Sequence, residues 1–219
     1  MTGHCFGALL AAGCAIFACT EPDPPQTAAA GSTELIFSGF NYTAHGGERA
    51  SLQLQAEQLI WRKRRFGVFS IGPLREIAMR NATLSVLPAS ETSASTGAGA
   101  GLASAFEGLD WSGGFGFRSV TRVTARPLRI QLNDESGEVY RIDAAQAKID
   151  SKSLVIDMKR GVSLTSRSGQ HLTAGSARWL ARRLRIRGPY VLEEGGHEKP
   201  GSGGVFLLED SGILRRIPG

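Results

Sequence analysis

The chain has 219 residues, of which 42% are hydrophobic and 21% are charged, so it can bury a core as one or two domains. Its 25 Lys and Arg residues exceed its 20 Asp and Glu residues, which gives a formal net charge of +5. This composition excludes a chain that is disordered throughout. The modest basic excess allows an anionic partner without requiring one.

All three cysteines lie within the first 19 residues, at positions 5, 14 and 19. A disulfide framework or a thiolate metal site needs cysteines distributed through the folded part of a chain, so we exclude both. The position of the cysteines indicates targeting instead.

Residues 5–18, CFGALLAAGCAIFA, form an apolar run. The run is shorter than the roughly 20 residues of a membrane-spanning helix and matches the core of a secretory signal. Ile16 and Ala18 precede Cys19 as in a lipoprotein signal, so we expect Cys19 to carry the lipid. Cys14 is the alternative acceptor, and an ordinary cleaved signal or an uncleaved anchor also stays open.

The remainder of the chain is predicted to form one β domain. We predict a lipoprotein-type signal peptide at 1–18, a tether at 19–33 and a single domain at 34–219, with a flexible insertion at about 88–101, PASETSASTGAGAG. Alternating apolar residues predict short strands, and no segment predicts a helix. The clearest alternations are Leu52/Leu54/Ala56, Leu128/Ile130/Leu132, Leu154/Ile156/Met158 and Leu184/Ile186.

A pattern recurs when Ala56, Ala144 and Ala174 are aligned as origins. Apolar residues recur at −2 and 0, then at +3 and +5, and again at +10 and +12. The −2 to +12 positions include Leu54, Ile142 and Leu172; Trp61, Ile149 and Trp179; Phe66, Leu154 and Leu184; and Val68, Ile156 and Ile186. The change of parity after each origin predicts one extra residue, a β-bulge that bends the strand.

Polar segments between +5 and +10, RKRR at 62–65, DSKS at 150–153 and LARR at 180–183, are predicted turns. The sequence therefore predicts an all-β fold of bent antiparallel strands in a V-shaped or flattened jelly roll, a β-taco. The segments VFLLE and ILRRI near the carboxyl end are predicted to form a closing hairpin.

The segment from 140 to 192 carries a family resemblance. It contains an Ala-x-x-Ala run, Gly-Val-x-Leu at 161–164 and Gly-x-x-Leu-x-Ala at 169–174. In these features it resembles the periplasmic β-jelly-roll family of lipopolysaccharide transport, the LptA/LptC (OstA-like) group. The earlier stretch LIFSGFNYTAHGGERASLQLQAEQLIW is similar to the amino-terminal strands of the LptC branch.

The resemblance implies a non-enzymatic periplasmic protein that shields the acyl chains of lipopolysaccharide in an apolar β groove. It implies handover to other bridge subunits by edge-strand pairing. The lipoprotein signal departs from the usual LptC, which has a transmembrane helix, and predicts instead a lipid anchor at the inner or outer membrane. We expect no cofactor, no metal and no nucleic-acid partner. The alternative is a structural or assembly envelope lipoprotein of the same fold, with a closed core and no lipid ligand.

The groove candidates are the inward residues of the repeat. They are Leu54, Ala56, Trp61, Ile142, Ala144, Leu154, Ile156, Leu172, Ala174, Trp179, Leu184 and Ile186. The two tryptophans fit equally a role as core wedges. Arg62, Lys63, Arg64 and Arg65 form either a solvated loop or a contact for lipid phosphate. The four histidines pair with no carboxylate at a catalytic or ligand spacing, so we predict no catalysis.

Overall fold

A computed structural model describes residues 34–45, 50–66, 69–88, 120–150 and 155–218. These residues form ten strands and no helix, which confirms the all-β prediction. Cys14, Cys19, Leu154, Val68 and nearly all of the predicted 88–101 insertion lie outside the described residues. The strands are β1 (Leu35–His45), β2 (Ala50–Phe66), β3 (Phe69–Pro88), β4 (Val120–Asp134), β5 (Gly137–Ile149), β6 (Ile156–Ser166), β7 (His171–Leu180), β8 (Arg183–Glu194), β9 (His197–Leu208) and β10 (Leu214–Ile217).

The ten strands form one sheet in which each strand lies beside its neighbours in the chain, from β1 to β10. Every neighbouring pair is antiparallel except β3 and β4, which are parallel. A parallel pair needs a crossover of about a dozen residues or more. The chain between Pro88 and Val120 is long enough to provide it.

The predicted change of parity occurs at one level across the sheet. On β2, buried residues change from even to odd numbers between Ala56 and Leu59, and on β5 they change between Ala144 and Ala147. Strand β7 changes between Ala174 and Ala177. The three origins fall in a single row of register partners, which we call the crease row. It consists of Phe40, Ala56, Ala82, Leu128, Ala144, Val162, Ala174 and Tyr190.

The pairing explains how the sheet accommodates this change. Strands β2 and β3 change parity together, as do β4 and β5, so their registers do not shift there. Between β7 and β8 the register shifts, because Ala174 to Ala177 lies opposite the longer span from Tyr190 to Ile186. Gly188 on this span has φ of 105°, a conformation that glycine adopts without strain. The sequence therefore located the change of parity correctly, but the predicted extra residue is wrong. Strand β2 keeps its register with both neighbours at this level, and beside β5 and β7 the longer span belongs to the neighbouring strands β6 and β8.

The crease row divides the sheet into two wings. Wing A contains Leu54 and Leu172 on its inner face, and wing B contains Leu59 and Trp179. All four are buried within a single hydrophobic cluster. Since the described residues contain no second layer, the inner faces of the two wings must cover each other, which gives the flattened jelly-roll arrangement. Alanines on both sides of the crease leave room for this close approach.

The predicted turn at RKRR is wrong. Strand β2 continues to Phe66, and Arg62 and Lys63 pair in register with Glu76 and Arg75. The polar run is therefore part of one long strand and does not separate two strands. The LARR turn is confirmed, with Ala181 at φ of 50°, and β9 and β10 form the predicted closing hairpin.

Candidate functional site

The predicted groove residues come together on the inner face of the folded sheet. Most of them are buried: Ile142, Ile156, Leu172, Leu184, Trp179, Leu54, Ile186, Ala56 and Ala144 are at most 4% exposed. Trp61 and Ala174 are partly buried and pack against the same cluster. The wings therefore meet tightly over the central strands.

The inner face is less closed at its β1 end. Phe37, Phe40, Tyr42 and Trp61 are only partly buried there, whereas Trp179, which occupies the same level as Trp61 on a later strand, is 1% exposed. We call these four residues the mouth. The sequence repeat identified Trp61 but missed the aromatic residues of β1, whose alternation is interrupted between Phe37 and Phe40.

The two edges of the sheet differ chemically. Among the described residues, β2 is the one strand that pairs with β1, and Leu35 and Ile36 of β1 are 46% and 53% exposed. At the other end, β10 pairs with Val205–Leu208 and leaves 197–204 of β9 without a second neighbour among the described residues. That segment contains Lys199 and Pro200, which discourage strand addition. The β1 edge is the better template for another strand.

A turn after β9 joins the outer rims of the two wings. Residues 209–214, which we call the clasp, leave the rim of wing B and reach β5 and the β6–β7 turn on wing A. The Tyr140 hydroxyl lies 2.9 Å from the Glu209 carbonyl oxygen, and Ser168 Oγ donates to the Gly212 carbonyl oxygen at 2.8 Å. The Leu214 amide donates to Gln170 Oε1 at 2.6 Å. Burial raises the pKa of Tyr140, so its hydroxyl stays protonated and keeps donating.

The four predicted phosphate contacts do not form one cluster. Arg62 lies on the outer face and its Nε donates to Glu76 Oε1 at 2.6 Å. Lys63 has the same parity as Trp61 and therefore belongs to the inner side of β2. The side chains of Arg64 and Arg65 lie outside the described residues.

Neither a metal cluster nor a membrane-spanning helix occurs in the part of the chain that the structure describes. There, no group of three or more His, Cys, Asp or Glu side chains is arranged to hold a metal ion. The same part of the chain has no helix of the length and apolarity needed to cross a membrane.

Comparison of the chain with protein-family models, curated proteins and solved structures found no significant match.

Proposed function

We propose that the protein is a non-enzymatic, lipid-binding component of lipopolysaccharide export in the periplasm, held at a membrane by a lipid on Cys19 or Cys14. One observation carries the proposal. The inner face of the sheet is apolar from β1 to β9, and it ends in a partly exposed mouth beside the outer edge of β1, which pairs with no second strand of the described part of the chain.

The mouth offers an entry for acyl chains. Each methylene that leaves water contributes about 0.8 kcal/mol, so a chain of ordinary length gains enough from burial to compete with contacts between the wings. Phe37, Phe40 and Tyr42 provide an apolar surface that is already partly accessible. Deeper entry requires the wings to separate, because Leu54 and Ile186 are each 2% exposed.

The β1 edge, which has no second neighbour among the described strands, supports a route for handover. Strand addition to β1 would extend the sheet and continue its inner face into the neighbouring subunit. Leu35 and Ile36 lie at this edge and would be covered by the added strand. A lipid could then move between subunits along a continuous apolar surface, driven by a partner that supplies the energy.

The second candidate is a structural or assembly lipoprotein of the same fold that holds no lipid. The tight burial of the central inner face favours it, and so does the clasp between the rims of the two wings. In that case the β1 edge would still bind a partner strand, but the inner face would serve only as a core.

In-cell photo-crosslinking separates the two functions. A photoreactive residue replaces Phe40 or Trp61 at the mouth, and Leu54 or Ile186 deeper on the inner face. Asn41, which alternates with Phe40 and is exposed, is the matched control. If the protein transports lipid, we expect lipopolysaccharide adducts at the mouth and inner-face positions and none at Asn41. If the protein is stable and none of the four positions at the mouth and on the inner face forms an adduct, lipid binding is rejected and the structural function remains.

A further inference from the structure

The outer face of wing B contains a second cleft, of about 1140 Å³, on the side of the sheet opposite the apolar core. Its charged lining consists of Arg62, Arg80, Arg122, Arg126, Lys148, Lys159, Arg178 and Arg187 together with Glu34, Glu76 and Asp157. We call it the cationic cleft. Its excess of five positive charges is as large as the formal net charge of the whole chain, +5.

The acidic residues of the cleft neutralise only two of its cations. Glu76 accepts from Arg62 at 2.6 Å, and Glu34 lies 4.0 Å from the same guanidinium. Asp157 accepts two hydrogen bonds from Arg178, at 2.7 and 3.1 Å. The other six cations form no salt bridge among the described residues: Arg80, Arg122, Arg126, Lys148, Lys159 and Arg187.

Two of these unpaired cations are side by side on neighbouring strands. Arg80 on β3 and Arg126 on β4 are register partners and are both exposed. Like charges directly opposite each other destabilise a strand pair, so this arrangement costs free energy in the empty protein. An anion between the two guanidinium groups would remove that cost.

Between its basic side chains, the cleft is lined by small residues. Ala78 and Thr124, also register partners on β3 and β4, have small side chains and leave space above the sheet. Nearby, Arg122 Nε–H is shielded from solvent and has no hydrogen-bond partner among the described residues. The cleft therefore combines space, positive charge and an unused donor.

We propose that the cationic cleft binds a ligand that carries at least two phosphate groups. Guanidinium groups bind phosphate oxygens through paired hydrogen bonds, and several unpaired cations match a polyanion better than a single charge. The cleft slightly exceeds the usual range of small-molecule sites, roughly 300–1000 Å³, so a diphosphate with an attached group fits. The site lies on the opposite face from the lipid surface proposed above and does not depend on that function.

Calorimetric titration of the full-length chain with inorganic pyrophosphate tests the cleft directly. The double variant Arg80→Gln/Arg126→Gln is expected to bind pyrophosphate at least about tenfold more weakly than the parent, because each of the two substitutions removes a charged donor. The control Arg141→Gln/Arg183→Gln removes two charges from outside the cleft and is expected to change affinity by less than about twofold. Absence of pyrophosphate binding to the parent, or equal affinity in the two double variants, would overturn the proposal.

A second measurement identifies the source of the phosphates. Binding to phosphatidylcholine vesicles is compared with binding to vesicles that also contain phosphatidic acid, so that any lipid anchor contributes equally to both. The ligand is a lipid head group if phosphatidic acid increases vesicle binding and this increase is abolished both by pyrophosphate and by Arg80→Gln/Arg126→Gln. Pyrophosphate binding without extra vesicle binding supports a soluble phosphate ligand. Extra binding that is insensitive both to pyrophosphate and to the double variant contradicts the cleft as the site.

Discussion

The hydroxyl of Tyr140 lies 2.7 Å from the carbonyl oxygen of Ile213, a residue 73 positions later in the chain. Tyr140 belongs to the rim of wing A, whereas Ile213 belongs to the clasp that leaves the rim of wing B. This contact therefore joins the two wings at the side opposite the crease. It makes the clasp a determinant of how far the inner face can open.

Tyr140→Phe is expected to lower the free energy of unfolding by about 1–1.5 kcal/mol, because it removes the single hydroxyl proton that the Glu209 and Ile213 carbonyl oxygens share, while both oxygens keep their backbone donors. Urea denaturation measures the change. Tyr190→Phe is the matched control, since the Tyr190 hydroxyl makes no hydrogen bond among the described residues, and its effect should be under about 1 kcal/mol. Equal effects of the two variants would show that the clasp contributes no specific stability.

Tyr190 also lies over Gly201, its register partner on β9. A Cβ atom at position 201 would collide with Cζ and Oη of the Tyr190 ring, which is held edge-on to Phe206 at a centroid distance of 5.2 Å. Gly201→Ala is therefore expected to destabilise the protein by about 1–3 kcal/mol through overpacking. Thermal and urea unfolding measure the loss.

Gly175→Ala is the control for this substitution. A Cβ at position 175 meets no atom within 4 Å, and the residue has no positive φ, so the change should be neutral or stabilise by up to about 1 kcal/mol. The Gly201→Ala loss should shrink in a Tyr190→Leu background, where the clashing ring is absent. An undiminished loss there would exclude the ring as the cause.

The sequence predicted the crease because burial imposes parity. Ala56, Ala144 and Ala174 occupy one level of the sheet, and the inner positions must change parity wherever the face continues across it. Once this change is included, the repeat assigns Leu54 and Trp179 to one surface, and both are buried in the same cluster. A local pattern is sufficient for this assignment because consecutive strands are neighbours in the sheet.

The cationic cleft could not be predicted in this way. Arg80, Arg126 and Arg187 come from three strands and meet only through registers that the sequence does not specify. The conspicuous RKRR run indicated a basic site instead, although alternation sends Arg62 and Lys63 to opposite faces. The clasp was missed for a related reason, because its hydrogen bonds join Tyr140 to backbone carbonyls that carry no sequence signal.

Acid should weaken the contact between Asp134 and Arg167. The two guanidinium hydrogen bonds, both 2.7 Å, hold the pKa of Asp134 well below its ordinary range, and Ser136 adds two more donors while burial opposes them. Because the folded pKa lies below the unfolded value of about 3.9, the contribution is present above that value and is lost as pH falls through the folded pKa. Asp134→Asn should cost about 1 kcal/mol near neutral pH and less as the pH falls below about 4.

The control for this pH dependence is Glu135→Gln in the same turn, since Glu135 is exposed and makes no hydrogen bond among the described residues. Urea midpoints between pH 7 and pH 2 provide the comparison for both variants and the parent. A stability difference between Asp134→Asn and the parent that does not shrink in acid would contradict the assigned cause.

Neighbouring alanines at the crease provide a test of the fold itself. Ala144 lies in the crease row and is 4% exposed, whereas the neighbouring Ala145 is exposed on the outer face. Ala144→Leu should destabilise the protein by about 1–3 kcal/mol, because the added volume forces the two wings apart at the line where they are closest. Ala145→Leu adds the same volume to the outer face and should change stability by less than about 0.5 kcal/mol. A reversed order in urea denaturation would mean that β5 has the opposite parity at the crease, and the inner face would have to be reassigned.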